Sequence, residues 1–145
     1  WGDGVYIGEF TANGSGLVTF GTTITSGVMG VPYTADWKSV KLAYLSQGGT
    51  ALTQRKKVDQ LSLILANTHI LGLQYGRNFD ELDPLPTVKD GFVQDTDTIF
   101  AQYDNESVPF NGEYNTDSRL CMRAFAPFPV TVLACVVGMV THDKI

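Results

Sequence analysis

Apolar and polar positions along this chain alternate with a period of two far more often than they recur at helical spacing. The longest run lies in the stretch Arg55 to Gly76, where Leu61, Leu63 and Leu65 share one face of an extended segment and Ser62, Ile64 and Ala66 fill the other. A helix would scatter those leucines around its axis, and no capping residue immediately precedes the run. The pattern predicts a central strand of about 26 Å over roughly eight residues. Val5–Phe10 and Leu17–Phe20 flank Asn13-Gly14, two residues that tolerate positive φ, which predicts an N-terminal hairpin within residues 1–26.

Further along, Val40, Leu42 and Tyr44 alternate against Lys41 and Ala43, and Gly48-Gly49 marks a turn. Asn78 to Pro86 reads as an extended loop, because two prolines deny ladder donors. Thr98–Tyr103 and Leu120–Phe125 read as strands, with loop from Asn105 to Ser118 that leaves room for a brief extended piece at Val108 to Phe110. Val130 to Val140 is apolar on both faces, as expected of a strand buried on both sides or facing a partner chain. The expected fold is all-β, an antiparallel β-sandwich or open barrel with long loops and little helix. The 145 residues suit a single β-rich domain, with a hairpin in 1–26 and a core in 27–145. A start at Trp1 suggests a fragment of a longer chain.

Composition adds little to that picture except through charge. A hydrophobic share of 43% and a charged share of 17% describe a globular chain, and no apolar run is long enough for a membrane span. The net charge of −5 hides a division: Asp80 to Asp117 holds ten acids against Lys89 alone, whereas Lys38 to Arg77 holds six bases against Asp59. Such segregation favours either one stretch lying on the other or two oppositely charged faces. Cys121 and Cys135 sit in strand-like runs as small hydrophobes; a disulfide between them requires neighbouring strands.

Catalytic motifs are scarce. His69 ends the central run and His142 lies near the chain end, and neither belongs to a nucleophile motif. Asp80, Glu81, Asp83, Asp95 and Asp97 offer carboxylates for glycoside hydrolysis, but loop acids are mostly solvated. Asp95-Thr96-Asp97 lacks the remainder of a calcium loop, and no glycine run forms a phosphate cradle. Arg55-Lys56-Lys57 is expected to be a solvated strand entrance that blunts edge pairing. Asn13-Gly14-Ser15 and Asn105-Glu106-Ser107 are formal glycosylation sequons. Tyr33, Trp37 and Phe128 are candidate interface or ligand aromatics. No cofactor, metal ligand set or enzymatic activity is expected.

Four segments occur in an informative order: Gly30-Val31-Pro32-Tyr33-Thr34-Ala35-Asp36, Arg55-Lys56-Lys57-Val58, Ile70-Leu71-Gly72-Leu73-Gln74-Tyr75-Gly76, and Ala126-Pro127-Phe128-Pro129-Val130-Thr131-Val132-Leu133-Ala134. Together they resemble the C-terminal part of tail tubular protein B, the nozzle of short-tailed bacteriophages, over roughly residues 27–137. Phe128 departs from that pattern, where leucine is frequent, as does the acidity of Asp80 to Asp117.

The resemblance implies a virion structural protein of the phage tail, made in the host cytoplasm. It implies assembly with copies of itself into a ring, a hexamer by the family's form, contact with other tail proteins such as the adaptor, and transient passage of DNA without specific binding. An acidic wall would repel phosphate and keep passage smooth, which makes Asp95, Asp97, Asp104 and Glu106 candidates for a lumen. The alternative is a carbohydrate-binding β-sandwich that recognises a host or polymeric glycan through Tyr33, Trp37 and acidic loops. A carboxylate hydrolase is the third class.

Overall fold

The computed structural model describes residues 1–46 and 49–142, with the backbone alone at 45, 46, 49, 50, 105 and 106. Its strands, in chain order, are β1 (Ala35–Lys38), β2 (Leu45–Ser46), β3 (Gly49–Thr50), β4 (Lys56–His69), β5 (Gln74–Asn78), β6 (Glu81–Pro84), β7 (Val88–Lys89), β8 (Phe92–Val93), β9 (Ile99–Val108), β10 (Cys121–Ala124) and β11 (Val132–Thr141). One 3-10 turn, Ala51–Thr53, is the helical element among the described residues. Among the described residues no helix is long and apolar enough to cross a membrane.

The fold is all-β, with open antiparallel sheets. A four-stranded sheet runs β1-β10-β5-β6 and a three-stranded sheet runs β11-β4-β9. One apolar core joins them: Leu61, Leu63 and Leu65 of β4 and Tyr103 and Val108 of β9 meet Tyr75 of β5 and Met122 of β10. The two sheets therefore bury one face each against the other, as sandwiches do.

The central strand is longer than its leucine run, fourteen residues from Lys56 to His69. Its alternation survives a defect. Gly138 and Met139 of β11 oppose Gln60 and Val58, so Asp59 is an extra residue, and Val58 and Leu61 both face inward. Near the other end Val132 and Ala134 oppose Leu65 and Ile64, which makes Leu133 the extra residue on β11.

Four expectations need correction. The simplest is at β9, which runs on through Asn105 to Val108, where loop was expected. The hairpin expected in residues 1–26 forms only its reversal. Asn13 and Leu17 are joined by one backbone hydrogen bond of 2.9 Å, and the Asn13 Oδ1 accepts from Ser15 and Leu17. No ladder propagates, and Gly8, at a φ of 110°, bends the first limb away from extended geometry. Asn78 to Pro86 is not all loop, because Glu81–Pro84 is a strand paired with β5. Pro84 is tolerated there because β6 is an edge strand, and Asn78 tightens the turn by accepting from the Asp80 and Glu81 N–H groups. The alternation at Val40, Leu42 and Tyr44 does not produce a strand; Leu42 instead makes a single 3.0 Å bond to Ser118.

Candidate functional site

Two features of the surface are unusual for a sandwich, and they lie near one another. The first is β11. It pairs with β4 along one side and stands at the rim of its sheet. The residues Cys135 and Val137 of β11 face the core, while Val136 and Val140 point outward. Leu133 and Val136 remain 62% and 60% exposed. Val132–Thr141 carries no charged residue. Natural edge strands are usually shortened, charged or covered, because their unpaired N–H and C=O groups template further pairing. Ten uncharged residues with outward valines do the opposite.

The doubly apolar character of Val130 to Val140 thus resolves in one direction: one face is core, and the other is open.

The second feature is an aromatic root that ties the N-terminal arm, residues 1–34, to the connection between β10 and β11. The Trp1 ring stands 5.6 Å from Tyr6, 5.9 Å from Phe125 and 5.5 Å from Phe128. Phe128 stacks on His69 at 3.8 Å with the rings nearly parallel. His69 closes β4, is buried, and accepts the Leu71 N–H on Nδ1 at 3.1 Å. Burial pushes the imidazole pKa down, and the Asp97 carboxylate pulls weakly the other way. Gly30 meets Pro127 at a distance that leaves little room for a side chain, and Asp3 binds the N–H groups of Thr25 and Ser26. Those backbone bonds draw the Asp3 carboxyl below the ordinary range.

Beyond this root the arm and its neighbours enclose an open cleft of about 950 Å³. Tyr6, Phe10, Phe20, Tyr33 and Phe125 line it together with Glu9.

The three candidate aromatics do not converge. Tyr33 lines the cleft, Trp37 lies on β1 opposite Met122, and Phe128 belongs to the root. The acids are spread as well. Asp95 accepts the Asp97 N–H in the loop before β9, whereas Asp104 sits within β9, about 20 Å further along at the usual strand rise. All three are exposed, and the side chain of Glu106 lies outside the described residues. These acids flank the rim of the sheet opposite β11. Among the described residues no group of three His, Cys, Asp or Glu side chains is arranged to hold a metal ion. Cys121 and Cys135 are free thiols whose pKa burial raises.

The basic entrance to β4 is not uniformly wet. Lys56 is fully buried, and its Nζ donates to the carbonyls of Ala51, Leu52, Gln54 and Thr116 at 3.1 to 3.3 Å. Desolvation lowers its pKa, as does the nearby charge of Lys41, while Asp117 opposes both. The alternation held a signal for this, since Lys56 shares the parity of Val58. The opposed charges of the two stretches meet through Arg77, which pairs with both Glu81 and Glu113. Trp1 and Phe125 escaped the sequence reading, because nothing local in a sequence announces a contact across more than a hundred residues.

Comparison of the chain with protein-family models and with curated proteins finds no match.

Proposed function

We propose that the chain is a structural domain of a phage tail nozzle, which assembles with copies of itself into a ring and acts by association, not by chemistry. The observation that carries this reading is the free, uncharged edge of β11 with outward Leu133 and Val136. Obligate assemblies cover such surface, which is otherwise an aggregation hazard. The segment order that resembles tail tubular protein B supports the nozzle in particular. The exposed Asp104 lies on β9, the rim of the sheet opposite β11, so association through β11 leaves it uncovered and able to face a conduit that repels phosphate, whereas Asp95 and Asp97 flank Thr96, which lies against Gly4 of the arm.

Light scattering after size exclusion tests the assembly. The chain is expected to run as an oligomer, alone or with tail components; a lasting monomer in the presence of those components refutes the reading. The aromatic cleft supports a second reading, a glycan-binding module. Binding on a glycan array that Tyr33→Ala abolishes, without any self-association, would put that reading first.

A further inference from the structure

The arm and the edge are each incomplete, and they are incomplete in complementary ways. Val5–Phe10 and Leu17–Phe20 have strand-forming sequences, yet among the described residues positions 6–12 and 18–24 make no backbone-to-backbone hydrogen bond. Val5 and Leu17 are 62% and 63% exposed. A segment rich in Val, Ile, Tyr and Phe with unpaired backbone groups is a strand without a sheet. Among the described residues, the edge of β11 is a sheet without its next strand.

We propose that the arm of one copy adds to the β11 edge of a neighbouring copy, so that assembly proceeds by strand donation. This rests on the self-assembly reading above and names its contact. The occupant is a second copy because this one sequence supplies both halves. The arm from Val5 to Thr23 carries Glu9 as its single charge and β11 carries none, so no like charges oppose each other along the junction. The root holds the arm beside Phe125 and Phe128, a few residues before β11 begins, so each copy presents its donor next to its own acceptor edge. Gly8 must relax from its φ of 110° to extended geometry for the limb to pair, which costs a glycine little. Donor and acceptor are different surfaces, so the contact is heterologous, and successive donations generate a ring where the rotation closes.

Two variants of the full chain test this. In the first, residues 7–23 are replaced by Gly-Gly, which keeps Tyr6 against Trp1 and Phe125. The flanks already meet through the 2.8 Å bond between Asp3 N–H and the Ser26 carbonyl, so the root survives. In the second, Leu133→Lys and Val136→Lys place charge on exposed positions of the acceptor edge. Circular dichroism and a thermal melt establish that both variants fold.

By sedimentation velocity the parent chain is expected to associate with concentration, and each variant to associate about thirtyfold more weakly, the scale of a lost hot spot. An equimolar mixture is expected to form a one-to-one heterodimer, because one variant keeps the arm and the other keeps the edge.

An arm-excised variant that still associates like the parent overturns strand donation while leaving self-assembly standing. A mixture that stays monomeric also overturns it. A parent chain that is monomeric at every concentration and with tail components removes both readings together.

Discussion

Two parts of this molecule read alike as sequence and differ completely as structure. The arm offers Val5–Phe10 and Leu17–Phe20 around an Asn-Gly turn; β4 offers Leu61, Leu63 and Leu65 behind a basic entrance. The leucines of β4 are fully buried, with β11 paired on one side and β9 on the other. The arm reverses at Asn13, touches itself through Phe10 and Phe20 at 5.2 Å, and finds no ladder. Alternation states which side chains would share a face. A strand exists only where something pairs with its backbone and something covers that face.

The difference is sharpest at the start of β4, which predicts the largest effect. Lys56→Ala removes the donor that four carbonyls share, the Ala51 carbonyl in a buried bond and those of Leu52, Gln54 and Thr116 in part-buried ones, and leaves a void where the side chain was. The expected loss is about 4 kcal/mol, since each unsatisfied buried acceptor costs about 1 to 3 kcal/mol and water recovers part of it. A denaturant melt reads this directly. A loss below about 1 kcal/mol would show Lys56 to be the solvated base its neighbours suggest. Next comes Leu63→Ala, in the middle of the core, with an expected loss of about 3 kcal/mol from lost transfer and the cavity left behind.

The root that joins the two parts should respond to acid. The folded His69 imidazole titrates below its ordinary value of 6.5, so below that pH the unfolded chain binds a proton that the folded chain refuses. Stability from this group is present above 6.5 and is lost as pH falls from 6.5 to the depressed folded value, after which the loss stops growing. Asp97 moderates the effect, and protonation also sets the Nδ1 acceptor against the Leu71 N–H. In His69→Phe the component of the pH dependence in that window is expected to vanish, as read by melts at a series of pH values. If it persists, another group owns it.

How much of this was legible beforehand follows from the range of each interaction. The all-β class, the core leucines of β4 and the turn at Asn13 depend on neighbours in sequence, and they were readable. The apolar character of Val130 to Val140 was readable too, but not which face the core takes: Cys135 and Val137 lie on it, while Val136 is exposed. Strand β6 was missed because Pro84 argues against a strand except at an edge, and edges are a property of the whole sheet. The burial of Lys56 was missed because its acceptors include Thr116, sixty residues away. Tyr33, Trp37 and Phe128 suggested one aromatic surface, and the fold sends them to three places.

The smallest expected effect is also the one that sharpens the comparison most. Leu17→Ala in the arm removes as many carbons as Leu63→Ala in β4, from a residue of the same type. In the dissociated chain the cost should stay within about 0.5 kcal/mol, because Leu17 is exposed and its loss opens no cavity. The ratio between the two substitutions therefore measures how much of the stability of a leucine comes from its covered face and how little from its place in an alternating sequence. A melt of the monomeric chain in which Leu17→Ala costs as much as Leu63→Ala would mean that the arm is covered within its own copy. The distinction between the two regions would then fall, and with it the supply of unpaired strand that donation requires.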